Sequence, residues 1–414
     1  MTKSETGPKR RSTLRRLVWI GAGLVVACVV ALVAYGFMDE QPPDDSELQF
    51  TRSVVSEEEN GYALSMLPRS QLPGALALTD AKASGEDEAI EFVSLDSPFA
   101  GNWNVERARV LVARHSDVLD SFDKSLERPR FQIPDWARTS QSFKMTSWRN
   151  MVDLALARAA VAFVDGDEGR AFDLVLDVIR FADRIEGGES ELFVWHRGAE
   201  FKRFGLDLLG TFVQRTKLDD VKVLAVLARI DAFQGSGERG FTLAVKSGYA
   251  WTKRYVDAER AQGSLAKRFL LHRNETLRLL VEDLRPLLQL RAPLIRREVD
   301  ELRELRPSLR DRLQQLRPNS MGRGIVEWQT QAAAHHLKAA RTEAVALQIP
   351  RLLFALRRFL RARGTLPEKL EELLPEFLDT LPIDPFDGGT LKYSRETKEI
   401  RTSREETPLA KIGF

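Results

Sequence analysis

The feature that most constrains this chain is an apolar run near its start. Residues 17–37, LVWIGAGLVVACVVALVAYGF, are twenty-one residues without a charge. As a helix rising about 1.5 Å per residue, the run is about 31 Å long, which matches the hydrocarbon thickness of a bilayer. The sequence therefore predicts a transmembrane helix from Leu17 to Phe37, and the membrane is its first predicted partner.

Charges on the two sides of this run predict its orientation. The preceding residues are basic (Lys3, Lys9, Arg10, Arg11, Arg15 and Arg16), and the residues just after it are acidic (Asp39, Glu40, Asp44 and Asp45). Positive charge is retained on the cytoplasmic side of a membrane. We therefore expect a single-pass protein of the inner (cytoplasmic) membrane, with its N-terminus in the cytoplasm and its body in the periplasm or outside.

Three other interpretations of the N-terminal segment stay open. Ala34-Tyr35-Gly36 fits a small-x-small cleavage site, although the apolar run is longer than a signal peptide needs. Val25-Val26-Ala27-Cys28 resembles a lipobox, but the residues that follow stay apolar to Phe37. Arg10-Arg11 is reminiscent of twin-arginine export, with neighbours that fit this signal poorly. An uncleaved anchor accounts best for the length of the run.

Composition excludes several classes of function. The chain has 62 Lys plus Arg against 60 Asp plus Glu, so no overall charge attracts nucleic acid, and export of the body also argues against a nucleic-acid partner. Cys28 is the only cysteine and lies in the apolar run, which excludes intramolecular disulfides and cysteine metal sites in the exported part. A hydrophobic content of 43% with 29% charged residues is typical of a folded protein rich in amphipathic helices.

Apolar residues recur every three or four positions through most of the body, which predicts a mainly α fold of αα-hairpins. The first predicted helix begins at Trp103 and ends before Arg128-Pro129. The others are Trp148–Val164, Glu168–Ala182, Leu192–Phe212, Asp219–Phe233, Phe241–Glu259, Leu265–Leu284 and Ile325–Arg363. Within these, Asp167 and Asp219 or Asp220 are predicted N-caps, and Gly364 is a predicted stop. A short helix from Ser56 and a strand over Ala89–Leu95 are also expected.

The predicted domain order has five segments. A cytoplasmic tail (1–16) and the transmembrane helix (17–37) are followed by a linker (38–55), a helical extracytoplasmic domain (56–363) and a C-terminal module (364–414). Asp39 to Glu47, with Pro42-Pro43, is predicted to be a stiff solvated tether. Ile295, Leu302, Leu309 and Leu316 are spaced by seven, which suggests a coiled-coil-like hairpin or a partner helix. However, four prolines divide the chain around this run into short rods and acids alternate with its arginines, so a solvated face is the favoured interpretation, with a partner-binding groove or contact with anionic headgroups as the alternatives.

No motif predicts a catalytic, cofactor-binding or metal-binding residue. Gly235 to Gly240 matches the letters GxGxxG, but the preceding residues have helical rather than strand spacing, so we expect a flexible joint between helices. Among the five histidines, His335 and His336 are adjacent. Neighbouring residues of a helix point about 100° apart, which is poor geometry for chelating one metal ion.

The C-terminal module differs from the helical body in its residue pattern. Pro367 can open a short helix, the residues from Asp384 to Gly389 (DPFDGG) are turn-forming, and the strands around Tyr393 and Ile400 predict a β-hairpin. This arrangement resembles the C-terminal part of type II secretion major pseudopilins. The resemblance implies a calcium site near Asp384 and Asp387, although the residues themselves favour a turn-capping role for both acids.

A second resemblance extends further along the chain. Asn60-Gly61-Tyr62, the helical middle and the C-terminal module are similar to those of uncharacterised single-pass, helix-rich bacterial membrane proteins. The leading hypothesis is a membrane-anchored extracytoplasmic scaffold or adaptor without catalytic activity, with protein partners in the cell envelope. The alternatives are a type II secretion or pilus-like assembly component and an enzyme that acts on envelope polymers through carboxylates.

Overall fold

The structure is a computed structural model that describes residues 19–31, 34, 38–65, 99, 103–133, 141–288, 318–404 and 408–414. The strand predicted over Ala89–Leu95 and the heptad spacing from Ile295 to Leu316 lie outside the described residues, as do both ends of the apolar run. Residues 19–31 are helical, with exposed apolar side chains. Among the described residues, no helix is both long enough and apolar enough to cross a bilayer.

The predicted mainly α class is confirmed. The helices are α1 Val105–Arg114, α2 Ser116–Glu127, α3 Gln141–Val164, α4 Glu168–Glu186, α5 Leu192–Arg215, α6 Asp220–Ile230, α7 Ser236–Ala261, α8 Leu265–Leu270, α9 Arg273–Leu288, α10 Ser320–Ala346 and α11 Ile349–Arg363. Short 3₁₀ helices cover Ser46–Leu48, Ala63–Ser65, Asp231–Phe233 and Leu370–Leu373. Three strands, β1 Lys392–Ser394, β2 Glu399–Arg401 and β3 Ala410–Lys411, form one antiparallel sheet.

Local chemistry sets several helix ends as predicted. The side chain of Asp167 accepts a hydrogen bond from the Arg170 N–H at the start of α4, and Asp219 does the same for Lys222 in α6. Gly364 ends α11 with a φ of 76°, a left-handed conformation that glycine adopts without a steric penalty.

Several predicted helices were wrong in extent. The helix expected from Trp103 breaks at His115 into α1 and α2, and the helix expected over Leu265–Leu284 is divided into α8 and α9. The long helix expected from Ile325 is interrupted between α10 and α11, because Pro350 lies in the first turn of α11 and a proline cannot continue a preceding helix. Residues 57–59 form a turn rather than the expected helix.

The chain divides into two compact units. The first comprises Met1–Gln49, Tyr249–Pro286 and Ala292–Ala332, and the second comprises Phe50–Gly248, Leu287–Arg291 and Ala333–Phe414. Both are discontinuous in sequence.

In the first unit, the segment expected to be a solvated tether is docked on helices. Asp45 accepts hydrogen bonds from the Tyr249 hydroxyl (2.7 Å) and from Lys253 Nζ (2.6 Å). Asp39 pairs with Arg260 (2.6 Å) and accepts the backbone N–H of Asn274 (3.0 Å) at the start of α9. Partial burial alone would raise the pKa of Asp45, but its bonds to Lys253 and Tyr249 lower it to about 2. The tether prediction is therefore wrong for these acids.

In the second unit, the Asn60-Gly61-Tyr62 triplet has a structural role. The Asn60 side chain bonds the backbone of Gln132 in both directions, donating to its carbonyl (2.8 Å) and accepting from its N–H (2.9 Å). Tyr62 is buried and makes edge-to-face ring contacts with Phe131 and Trp148. The triplet thus fixes the start of the unit to its aromatic core.

The C-terminal module packs on α11 around a shared apolar cluster. Leu373, Leu391 and Ile400 are buried in this cluster against residues of α11. The predicted hairpin is confirmed as β1 and β2, with Tyr393 opposite Ile400, whereas Leu370–Leu373 is a 3₁₀ helix. Asp384 is buried and accepts the N–H of Phe386 (2.9 Å) and of Ser403, which confirms its turn-capping role.

Candidate functional site

A buried lysine lies at the centre of the second unit. Lys202, in the middle of α5, has no exposed surface. Its Nζ donates to Glu343 of α10 (2.7 Å), to Asp183 of α4 (2.9 Å) and to the Ser236 hydroxyl of α7 (3.2 Å), and also to Glu186 of α4. One ammonium group therefore joins four helices.

The carboxylates of this lysine cluster stabilise the ammonium group of Lys202 but repel one another. Burial would lower the pKa of Lys202, but the carboxylates of Glu186, Glu343 and Asp183 raise it, so the ammonium stays charged. Burial raises the pKa of Glu186 well above its usual value, against the opposing effect of Lys202. Buried ion pairs of this kind withstand the cost of dehydration only when their geometry and hydrogen bonds are good.

The glycine-rich motif packs beside the lysine cluster. Gly235 has a φ of 71°, and α7 begins at Ser236, so Gly237 and Gly240 lie within the first turns of a helix. A Cβ at Gly240 would lie 2.8 Å from the Glu186 carbonyl oxygen and 3.0 Å from the Trp195 ring. The prediction of a flexible joint is therefore wrong for Gly237 and Gly240, because both lie in α7 and allow close packing there.

A cavity of about 370 Å³ adjoins the motif. Its walls include the acids Glu238, Glu343 and Asp379, together with Arg351. Glu343 is 4% exposed at its side chain, and its Oε2 has no hydrogen-bond partner in the described part of the chain. The wall of the cavity is therefore polar, and one carboxylate oxygen of Glu343 has no hydrogen-bond partner among the described residues.

Three histidines meet on the same pair of helices, α5 and α10. The ring centroid of His196 lies 4.6 Å from that of His336 and 5.8 Å from that of His335, and the last two are 5.4 Å apart. One ligand nitrogen from each lies within 4.8 Å of those of the other two. Trp195 packs edge-on against His336 and forms one side of this histidine cluster.

Burial disfavours the charged form of two members of the histidine cluster. Burial lowers the pKa of His336 to about 3, and proximity to the other two histidines adds to this effect. Burial also lowers the pKa of His196, with Glu200 opposing the shift. The Nδ1 atoms of His196 and His336 are buried without a hydrogen-bond partner among the described residues. Leaving a buried polar atom unpaired costs about 1–3 kcal/mol, so each such atom calls for a ligand or a water molecule.

Sequence reasoning missed both clusters. The sequence offers only the adjacent pair His335 and His336 as a ligand set, and His196 is far from it along the chain. For Lys202 a signal was available, because Trp195, Ala199, Leu206 and Leu209 place it within an apolar stripe of α5. The sequence-based prediction of no metal-binding, cofactor-binding or catalytic residue stays a prediction.

Comparisons with known proteins supply no relative. No family model matches this chain, and the comparisons with curated proteins and with solved structures gave no significant match. The resemblances to pseudopilins and to single-pass bacterial membrane proteins stay predictions.

Proposed function

We propose that this chain is a membrane-anchored extracytoplasmic scaffold or adaptor that binds a protein partner of the cell envelope and has no catalytic activity of its own. The observation that carries this proposal is the helix α6, Asp220–Ile230, which has two apolar stripes. A helix that is apolar on both sides needs cover on both sides.

One stripe of α6 is covered by the core, and the other is open. Val223, Leu227 and Ile230 are buried, at 0–1% exposure. The second stripe consists of exposed residues spaced three, four and seven apart: Val221, Leu224, Ala225 and Ala228. Val221 is 77% exposed and Leu224 is 49% exposed. This spacing is the pattern by which one amphipathic helix binds another.

The occupant that fits this outer stripe is the apolar face of a partner helix. Lys222 and Arg229 lie beside the stripe on α6, where Lys222 is paired with Asp219 (3.3 Å) and Arg229 with Asp173 (2.5 Å). An acidic residue at the edge of the partner helix would reach the exposed ammonium group of Lys222 beside Asp219. Apolar surface at the centre with charges at the rim is the usual arrangement of a protein interface.

Two further observations support the anchored scaffold. The helical residues 19–31 expose large apolar side chains such as Trp19, Leu24 and Val30, which suits contact with lipid. The Lys202 cluster directs three carboxylates at one ammonium group, so these acids serve to join helices.

The test is site-specific photocrosslinking in cells. A photoreactive residue at Leu224 should crosslink to one recurring envelope protein, whereas the same residue at Arg170, an exposed position of α4, should not. Crosslinks from Leu224 to lipid alone, or to no protein, would show that the outer stripe of α6 does not bind a partner.

A pair of substitutions separates binding from folding. Val221→Ser with Leu224→Ser should abolish the crosslinked complex and shift the melting temperature little, because exposed positions contribute little to stability. Leu227→Ser, on the buried stripe, should lower the melting temperature. A complex that survives the double substitution would contradict the proposal.

An enzyme that acts on envelope polymers is the second candidate, favoured by the acid-lined cavity beside Glu343. A carboxylate at the wall of a cavity is a candidate general base. On this hypothesis, Glu343→Gln would abolish hydrolysis of peptidoglycan or envelope polysaccharide by the purified chain while leaving the α6 crosslink intact. Hydrolysis that is absent from the unsubstituted chain excludes this candidate for those substrates.

A further inference from the structure

The histidine cluster has the composition of a transition-metal site. Its three members, His196, His335 and His336, bring together imidazole nitrogens, which suit Zn²⁺, Cu²⁺ and Ni²⁺ better than Mg²⁺ or Ca²⁺. Catalytic zinc sites commonly use three protein ligands and leave a fourth position to water. Among the described residues, this is the group of three potential ligands whose nitrogen atoms lie within 4.8 Å of one another.

The positions of the three rings explain how adjacent histidines can share one ion. His335 and His336 diverge around α10, and His196 of α5 lies close to both rings. The ring of His196 therefore occupies the space between the diverging rings of His335 and His336. Zn–N bonds of about 2.0–2.1 Å place tetrahedral ligands about 3.4 Å apart, so nitrogens that lie within 4.8 Å of one another need to approach by up to about 1.4 Å. His335 is exposed and can turn to do this.

We propose that His196, His335 and His336 bind one divalent transition-metal ion of the zinc class, with solvent at the fourth position. The buried Nδ1 atoms of His196 and His336 have no hydrogen-bond partner in the described chain, and a metal ion or a water molecule would supply one. The exposed His335 leaves a route for the ion from solvent. Beside His196, Arg197 is paired with Glu200, which Arg149 also contacts (3.4 Å), so the cationic groups nearest the cluster are engaged by a carboxylate.

This inference is independent of the adaptor proposal, because the histidine cluster lies on α5 and α10 whereas the outer stripe belongs to α6. A metal ion here would tie α5 to α10 beside Trp195. Failure of the metal test leaves the α6 crosslink unaffected, and failure of the crosslink leaves the metal site unaffected.

The test is titration of the full chain, purified in detergent without a polyhistidine tag, with ZnCl₂ in a calorimeter. We expect one Zn²⁺ ion per chain and no binding of Mg²⁺. His335→Ala should weaken Zn²⁺ binding at least about tenfold, because even residues that only support metal ligands change affinity by that factor. Since His335 is exposed, this variant should keep the melting temperature of the metal-free chain.

His115→Gln is the matched control, since His115 lies at the junction of α1 and α2 and should leave Zn²⁺ affinity unchanged. Co²⁺ provides a second readout, because tetrahedral Co²⁺ absorbs strongly in the visible range, and the band should be lost in His196→Gln and His336→Gln. The proposal is overturned if the unsubstituted chain binds no Zn²⁺, if His335→Ala binds it as tightly, or if His115→Gln weakens it equally.

Discussion

At the scale of single residues, the stability of the second unit depends on the charged side chain of Lys202, which is fully buried. Lysine is almost never fully buried unless it is paired. Lys202 meets this condition with three carboxylates, and its ammonium is the only positive charge shown to contact Glu186 and Glu343 among the described residues. Lys202 therefore stabilises the unit in two ways, by offsetting the negative charges of Glu186 and Glu343 and by forming hydrogen bonds with them.

Lys202→Met should lower the free energy of unfolding by about 3–5 kcal/mol, because it leaves Glu186 and Glu343 buried and unpaired. Lys217→Met, at an exposed position, should change it by less than about 0.5 kcal/mol. Urea denaturation followed by circular dichroism measures both. A loss below about 1 kcal/mol for Lys202→Met would show that the carboxylates have other partners or take up protons at little cost.

At the scale of elements, close approach depends on the absence of side chains. Gly240 is the fifth residue of α7 and faces the backbone of Glu186. Gly324 is the fifth residue of α10, and a Cβ placed there would have no atom within 4 Å apart from its chain neighbours and the backbone of its own helix. The same residue type at the same helical position thus has two different roles.

Gly240→Ala should destabilise the chain by about 1–3 kcal/mol, because the new methyl group overlaps a main-chain oxygen that cannot move aside. Gly324→Ala should stabilise it by about 0.5–1 kcal/mol, since alanine loses less backbone entropy than glycine in a helix. Thermal unfolding of the two variants measures these opposite signs. Equal effects would mean that α7 is free to shift away from α4.

The docked acidic segment also acts at the element scale, through pH. The pKa of Asp45 is about 2 in the folded chain, below its usual value of 3.8, so its contribution to stability is complete above about pH 4 and is lost as the pH falls towards 2. The difference in melting temperature between the unsubstituted chain and Asp45→Asn should therefore be large at pH 6 and shrink between pH 4 and pH 2. A difference that does not depend on pH would contradict the role of Lys253 and Tyr249 as partners of the charged form.

At the scale of the whole molecule, the prediction of membrane orientation rests on the charges around the apolar run. Basic residues precede the apolar run and acidic residues follow it. In the first unit these acids are engaged with cationic and hydroxyl groups of α7 and α9, so the chain that follows the apolar run is already part of a folded unit.

Fusion of alkaline phosphatase after Phe414 should be active, and fusion of a reporter that needs the cytoplasm should be inactive, because the positive charge before Leu17 keeps the N-terminus inside. Replacing the basic residues from Lys9 to Arg16 with neutral ones should reduce the phosphatase signal. Activity of the cytoplasmic reporter alone would show that the orientation is reversed.

The sequence by itself determined the features that depend on neighbours along the chain. Apolar spacing predicted the mainly α fold, Asp167 and Asp219 predicted helix starts, Gly364 predicted a stop, and Tyr393 with Ile400 predicted the hairpin. Each is a short-range effect of backbone hydrogen bonding or side-chain periodicity, and such effects depend only on residues that are close together in the sequence.

Only the tertiary structure decided what lies between elements. His196 meets His335 and His336, Glu343 meets Lys202, and Asp45 meets Tyr249, although each pair or group is far apart in sequence. A periodic pattern shows which face of a helix is apolar, but it does not show which helix covers that face or at what height the two are aligned. Because the rise per residue is about 1.5 Å, a shift of one helical turn moves a side chain by about 5 Å, enough to separate every one of these contacts.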